Sequence, residues 1–174
     1  FHTDAGYFPL TGDQLATTWL PLDPATPESG VLHWVRGSHR DPVDYRPNLF
    51  VTDEPIPGTE GEVVPDVAAD PELSARLISF DVVPGDLTVH HHRTLHGAPP
   101  NRHADRRRRA VSVRYVGDDA RYHPKPGLLA RPHEHERGLA FDPGNASARK
   151  QRAERPVDRR RREPPAEAPL ELRQ

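Results

Sequence analysis

Short apolar runs alternate along the chain with turns rich in proline, glycine and aspartate, a pattern typical of β-strands. The apolar runs predict strands at residues 14–22, 31–36, 77–83, 87–91 and 109–116. A turn at Pro84-Gly85-Asp86 separates two of them. Only residues 67–76 favour a short helix, which Asp70-Pro71-Glu72 would begin. Many short strands and little helix predict an all-β sandwich or barrel.

The strand at residues 109–116 has two distinct faces. On one face Ala110 and Ser112 are small and leave room for a ligand, and Arg108, just before the strand, shares this parity. The opposite face, which we expect to pack against other protein, carries Arg109, Val111 and Val113.

Composition excludes several classes of protein. The 174 residues are 34% apolar and contain no cysteine, which excludes a disulfide framework and a thiolate metal site. The absence of cysteine fits a cytoplasmic protein, which is our expectation. No apolar run is long enough to cross a bilayer, and no signal peptide is visible. A net charge of −2 argues against nucleic acid or an anionic membrane as the main partner.

Charge and proline content divide the chain into two parts. Residues 146–174 carry nine basic and five acidic side chains with almost no apolar periodicity, which predicts a disordered tail after a domain at residues 1–145. Within the domain, residues 40–66 form a long excursion rich in proline and acidic residues. Loops of this length are usually lids or disordered segments.

A His-x-Asp motif at the start of the chain suggests metal chemistry. About one such motif is expected by chance from the histidine and aspartate content, and the chain holds three, at residues 2–4, 39–41 and 103–105. The second copy follows Gly37-Ser38 in a turn, and the third lies in a polar loop. Only His2 and Asp4 lead into a segment that could be a half-buried strand, where they would point to the same side.

Two imidazoles and one carboxylate on one side of a metal are the ligands of non-haem Fe(II) oxygenases. With His2 and Asp4, the third ligand would come from a histidine on another strand. The candidates are His90, His91, His92 and His96. Strand alternation would place His90 and His92 on one face, whereas His96 follows the strand beside Gly97, where the backbone can bend.

An arginine run at residues 106–109 offers a guanidinium for a dicarboxylate cosubstrate. Such runs are usually solvated, which is our interpretation of Arg106 and Arg107. Arg108 shares a face with the small residues Ala110 and Ser112 and is the better candidate for binding the cosubstrate.

Several motifs occur in an order that resembles the phytanoyl-CoA dioxygenase family of Fe(II)- and 2-oxoglutarate-dependent oxygenases. The resemblance covers about residues 1–125. Its motifs are His2-Thr3-Asp4-Ala5-Gly6-Tyr7-Phe8-Pro9, Trp19-Leu20-Pro21-Leu22-Asp23, Glu28-Ser29-Gly30, Gly37-Ser38-His39-Arg40, Pro84-Gly85-Asp86, Thr94-Leu95-His96-Gly97 and Arg108-Arg109-Ala110-Val111-Ser112.

The resemblance implies a double-stranded β-helix, also called a jelly roll, with iron held by His2, Asp4 and His96. It implies that Arg108 binds the distal carboxylate of 2-oxoglutarate, with Trp19 and Thr3 as further contacts to this cosubstrate. The family couples oxidation of 2-oxoglutarate by dioxygen, to succinate and carbon dioxide, to hydroxylation of a small molecule. Halogenating relatives have a small residue where this chain has Asp4, so hydroxylation is favoured.

The chain departs from the family pattern in three places. The family has a sizeable region before its His-x-Asp motif, so we expect that N-terminal strands and helices of the jelly roll are missing here. The arginine lies one residue further from the distal histidine than in the phytanoyl-CoA enzyme, which leaves Arg107 as an alternative anchor. Ala98 stands where the mammalian enzyme has a cosubstrate contact.

Two other functions fit parts of the pattern. A truncated, cupin-like module could bind metal without turnover. A zinc hydrolase could use the same three ligands, but the chain lacks His-Glu-x-x-His, and an arginine for a keto acid would have no role in it.

Overall fold

The structure is a computed structural model that describes residues 1–50 and 52–128. The predicted tail at residues 146–174 and the domain boundary at residue 145 lie outside the described residues. The strands are β1 Leu10–Thr11, β2 Leu15–Pro21, β3 His33–Val35, β4 Leu77–Ser79, β5 Thr88–His91, β6 His96–Gly97, β7 Ala110–Val116 and β8 Arg121–Tyr122. One α-helix, α1 Pro71–Ser74, and three 3₁₀ turns, Asp4–Tyr7, Pro27–Ser29 and Ser38–Arg40, complete the elements of the described part.

The strands of the described residues form antiparallel sheets. One three-stranded sheet has the order β5-β2-β7, a second has the order β4-β3-β6, and β1 pairs with β8. In the first sheet, β2 is the central strand, and its Thr17 is the pairing partner of both His90 and Arg114. In the second sheet, Trp34 of β3 pairs with His96 of β6.

The two three-stranded sheets meet through aromatic and imidazole rings. The ring centroids of His90 on β5 and His96 on β6 are 4.3 Å apart, and those of His90 and Trp34 are 6.2 Å apart. Buried apolar side chains form two clusters. One cluster comprises Trp19, Ala25, Val31 and Val82, and the other comprises Val35, Val67, Leu73 and Leu95.

The predicted strands are confirmed, although several of them are shorter than predicted, by up to four residues at one end. The turn at Pro84-Gly85-Asp86 is present, with Gly85 at φ 108°, a backbone conformation that favours glycine. The predicted helix shrinks to α1, yet Asp70 caps it as expected, because its carboxylate accepts hydrogen bonds from the backbone N–H groups of Glu72 and Leu73. None of the helices among residues 1–50 and 52–128 could span a membrane.

Two predictions about local structure are wrong. Asp4 does not lie on an extended strand: Thr3 is extended, but Asp4 begins a 3₁₀ turn, because the chain leaves the sheet after His2 bridges His96. Val111 and Val113 do not pack against other protein within the described residues, where they are 45% and 37% exposed. They lie on the outer face of the sheet, whereas Arg114 on the inner face points to Asp4.

Candidate metal centre

Two backbone hydrogen bonds bring the beginning of the chain to the distal histidine. The N–H of His2 donates to the carbonyl of His96 at 2.8 Å, and the N–H of His96 donates to the carbonyl of His2 at 2.9 Å. Residues opposite each other in such a bridge point to the same side of the sheet. The two imidazole rings therefore meet, with centroids 4.3 Å apart.

The carboxylate of Asp4 completes a group of three side chains that could hold a metal ion. One nitrogen of His2, one nitrogen of His96 and one oxygen of Asp4 all lie within 4.8 Å of one another. Nε2 of His2 is 3.9 Å from Oδ1 of Asp4. The structure thus brings together the three residues predicted from sequence, and their role as ligands remains a prediction.

The ionisation states of these groups suit a divalent cation. Burial lowers the pKa of His2 to about 4 and that of His96 to about 3, so both imidazoles are neutral near pH 7. Burial alone would raise the pKa of Asp4, but the nearby His90 imidazole, the hydrogen bond from Thr17 and the charge of Arg114 hold it well below its usual range. A neutral imidazole pair with an ionised carboxylate is the donor set that a facial triad requires.

The distal histidine is held in one tautomer. Nδ1 of His96 lies 2.8 Å from the carbonyl oxygen of Thr94. A carbonyl oxygen only accepts, so Nδ1 carries the proton and the lone pair of Nε2 is free to bind a metal. Gly97 was expected to let the backbone bend, but the structure shows a different reason for a glycine here. A Cβ at this position would lie 3.0 Å from the Phe1 ring. The glycine permits close packing of the first residue beside the ligand.

The other candidate histidines fall in different places. His90 is buried, with Nε2 3.5 Å from Oδ2 of Asp4, so it belongs to the surroundings of the metal centre. His91 points to the opposite side, where Nε2 lies 2.8 Å from the carbonyl oxygen of Asp13. His92 does not share the face of His90, because β5 ends at His91, and it lines a cavity of about 690 Å³ with Thr3.

Of the predicted cosubstrate contacts, Arg108 and Trp19 lie together. The Arg108 guanidinium carbon is 5.6 Å from the centre of the Trp19 ring, a cation–π contact. Arg107 is exposed, and Arg109 forms a bidentate pair with Asp23 on the surface, with Nη2 2.7 Å from Oδ1. Among these three arginines, Arg108 alone combines partial burial with contact to Trp19.

Thr3 is not close to the other two predicted cosubstrate contacts. It is buried between the two ligands of the His-x-Asp motif and lines the cavity of His92, which neither Trp19 nor Arg108 lines. Alternation in the extended backbone turns its side chain away from those of His2 and Asp4. Its role in cosubstrate binding stays a prediction that the geometry does not support.

The long excursion at residues 40–66 packs beside the metal centre. The ring of Phe50 lies 4.8 Å from the ring of His2 and 4.5 Å from that of Tyr7. Asn48 is buried, its side-chain amide donates to the carbonyl of Phe1, and its Oδ1 is 2.8 Å from the Tyr7 hydroxyl. This part of the excursion therefore covers His2.

Buried polar atoms without a hydrogen-bond partner lie around the same interior. They include Nε1 of Trp34 and Oγ1 of Thr88, together with both ring nitrogens of His90. Thr88 on β5 is the pairing partner of Trp19 on β2, and Trp19 is the residue that Arg108 contacts. A polar ligand bound between the two sheets would satisfy such atoms, because buried donors and acceptors are rarely left unpaired.

Two residues that contact Asp4, Thr17 and Arg114, were not predicted from the sequence as part of the site. The hydroxyl of Thr17 donates to Oδ2, and Nη2 of Arg114 lies 3.3 Å from Oδ1. The sequence predicts the two strands that carry Thr17 and Arg114. The pairing register that aligns them on Asp4 had no signal in the sequence, because strand alternation does not identify the neighbouring strand.

Comparison with known proteins agrees with this centre. The family model described as phytanoyl-CoA dioxygenase matches residues 1–110. A curated protein of Stutzerimonas stutzeri, named as a probable alpha-ketoglutarate-dependent hypophosphite dioxygenase, is 30% identical over 131 residues. The match covers 69% of this chain and 40% of that protein, so the chain spans less than half of its length.

Solved structures resemble the fold. The carbocyclase SnoK of nogalamycin biosynthesis is 28% identical, with a TM-score of 0.54, over 77% of this chain and 47% of SnoK. The epimerase SnoN, solved with Fe³⁺, alpha-ketoglutarate and nogalamycin RO, is 29% identical, with a TM-score of 0.52, over 71% of this chain and 43% of SnoN. These similarities confirm the predicted all-β jelly roll. On the match of its family model, the chain belongs to the phytanoyl-CoA dioxygenase family.

Proposed function

We propose that this chain carries the metal centre of an Fe(II)- and 2-oxoglutarate-dependent dioxygenase that hydroxylates a C–H bond of a small molecule. Dioxygen and 2-oxoglutarate are consumed, and succinate and carbon dioxide are released. His2, Asp4 and His96 hold the iron, and Arg108 with Trp19 binds 2-oxoglutarate.

The observation that carries the proposal is the convergence of two neutral imidazoles and one ionised carboxylate within 4.8 Å. Three protein ligands leave three positions of an octahedral ion for the 2-oxo acid and dioxygen. Bound iron would activate dioxygen and orient the 2-oxo acid. The protein supplies the neutral ligand nitrogens and the buried surroundings.

The inner face of the central sheet suits an extended dicarboxylate. Trp19 follows Thr17 by two residues on β2, a separation of about 6.6 Å along the strand. Arg108 lies over Trp19, beyond the row that contacts Asp4. One end of 2-oxoglutarate can therefore reach the metal while the other carboxylate meets the guanidinium, a charge-assisted pairing.

The relatives support the same cofactors. The name of the Stutzerimonas protein includes dependence on alpha-ketoglutarate, and SnoN was solved with Fe³⁺ and alpha-ketoglutarate. Hypophosphite, in the name of the first protein, and nogalamycin RO, bound in the SnoN structure, differ so widely that they do not identify the substrate of this chain. Hydroxylation is favoured over halogenation because Asp4 fills the third ligand position.

The test is succinate formation from 2-oxoglutarate by the purified chain with Fe(II) and oxygen, against a panel of small molecules. We expect succinate only when Fe(II), oxygen and 2-oxoglutarate are all present, and none from a His96→Ala variant. His103→Ala is the matched control, since this histidine belongs to a His-x-Asp motif outside the centre. Metal binding without consumption of 2-oxoglutarate would instead support a cupin-like binding module, and normal turnover by His96→Ala would disprove the ligand assignment.

A further inference from the structure

The carboxylate of Asp4 is surrounded by one row of side chains across the central sheet. His90 on β5, Thr17 on β2 and Arg114 on β7 are pairing partners, so their side chains leave the sheet on the same face. All three reach Asp4, although they are far apart in sequence. A row of this kind places donors on the carboxylate from a rigid part of the fold.

The contacts divide unequally between the two carboxylate oxygens. Oδ2 accepts a hydrogen bond from the Thr17 hydroxyl and lies 3.5 Å from Nε2 of His90. Oδ1 lies 3.9 Å from Nε2 of His2 and accepts from Nη2 of Arg114 at 3.3 Å. Oδ1 is thus the oxygen that faces the first imidazole ligand, whereas Oδ2 faces the sheet.

Burial makes the Thr17 hydrogen bond on Oδ2 the firmest of these contacts. Asp4 and Thr17 are 2% and 1% exposed, and the side chain of His90 is 5% exposed, whereas that of Arg114 is 41% exposed. A buried hydroxyl and a buried carboxylate strongly favour keeping a shared hydrogen bond, because neither can turn to water. Arg114 can move, and a carboxylate oxygen can accept one hydrogen bond while its other lone pair binds a cation.

We propose that Thr17 and His90 are positioning residues for Asp4: they keep Oδ2 turned to the sheet, so that Oδ1 is the oxygen presented beside His2 to a metal ion. This role rests on the proposed metal centre and deepens it. A facial triad needs one carboxylate ligand and leaves further positions for a 2-oxo acid and dioxygen. A carboxylate that could rotate would turn both oxygens toward the metal, which the hydrogen bond from Thr17 opposes.

Thr17→Val tests the proposal, because it keeps the shape of the side chain and removes the donor. We expect the affinity for Co(II), measured by competition with a chelator, to fall about tenfold, as is usual when a group that orients a ligand is lost. The ligand-field absorption of bound Co(II), which depends on coordination number and geometry, should also change, and addition of 2-oxoglutarate should alter it less than in the wild type.

Three variants make the result specific. Thr17→Ser keeps a hydroxyl and should restore the wild-type affinity and spectrum. Thr18→Val removes a hydroxyl from the opposite face of the same strand and should behave as wild type in both measurements. His90→Phe removes the second contact on Oδ2 and should shift the spectrum in the same direction as Thr17→Val, which provides a second route should Thr17→Val fail to fold by circular dichroism.

The outcomes separate this proposal from the proposed function. Wild-type affinity and spectra in folded Thr17→Val and His90→Phe would overturn the role of these residues while leaving the metal centre intact. Failure of the wild-type chain to take up Co(II), or uptake that persists in His96→Ala, would overturn the metal centre and this proposal with it.

Discussion

Single side chains at the centre are tuned by burial more than by charge. His2 and His96 are neutral because burial disfavours the imidazolium form, even beside the ionised Asp4. Asp4 in turn stays ionised because donors from three strands compensate its desolvation. This balance prepares the ligands for a cation without requiring them to lose protons near pH 7.

The choice between Arg108 and Arg107 is also a question about single residues. We expect Arg108→Leu to raise the dissociation constant for 2-oxoglutarate roughly 10- to 100-fold, since a hydrogen bond to a charged group contributes about 1.5–3 kcal/mol. Binding of the cosubstrate to the Co(II) protein measures the effect. Arg107→Leu is the matched control and should bind nearly as the wild type, because this side chain is exposed. The reverse order of effects would make Arg107 the anchor.

Among the elements, β2 contributes most to the site. Its residues Thr17 and Trp19 face the interior two positions apart, one beside Asp4 and the other beneath Arg108. As the central strand, β2 is paired on both sides from Ala16 to Trp19, which holds these two side chains at a fixed spacing. The metal and cosubstrate positions therefore share one rigid support.

The short helix α1 depends on its cap. Asp70→Ala should lower the free energy of unfolding by about 1 kcal/mol, because the carboxylate satisfies two backbone N–H groups at the start of the helix. Urea denaturation measures this. Asp70→Asn keeps a side-chain acceptor and should lose only part of that amount, while Asp81→Ala removes the same charge at an exposed position and serves as the control. Equal losses in Asp70→Ala and Asp81→Ala would contradict a capping role.

At the scale of the whole molecule, buried neutral histidines predict acid sensitivity of the metal-free protein. Burial lowers the pKa of His92 to about 4, as it does for His2, and lowers that of His96 to about 3. Below pH 6.5 the unfolded chain binds protons that the folded chain does not. The free energy of unfolding therefore decreases as the pH is lowered from 6.5 to about 4. Each histidine contributes up to about 1.4 kcal/mol per pH unit in that window.

Unfolding in urea at several pH values between 7 and 4, with a chelator present, measures this dependence. This pH range lies above the ordinary pKa of the aspartates whose pKa values are lowered, Asp4, Asp23 and Asp119, so most of their contribution is lost only at lower pH. His92→Gln should reduce the slope by the share of one histidine. A free energy of unfolding that stays constant from pH 6.5 to 4 would show that these imidazoles are not held neutral by the fold.

The strand pattern, the His-x-Asp motif and the family resemblance were readable from the chain because they depend on residues close in sequence. β-favouring residue types predicted β2, alternation predicted β7 and the parity of Arg108, and ordered motifs identified His2, Asp4 and His96 as candidate ligands. The sequence predicted an extended strand at Asp4 and packed side chains at Val111 and Val113, and both predictions were wrong. Both features depend on which segments of the chain lie next to these residues in the fold.

The sequence by itself therefore determined the all-β class and the identity of the candidate ligands, since side-chain chemistry and a period of two are local properties. Only the tertiary structure decided that the imidazoles of His2 and His96 meet, and that Thr17, His90 and Arg114 converge on Asp4. The physical reason is register: a shift of one residue between two strands would turn a whole row to the other face, and register is set by long-range packing.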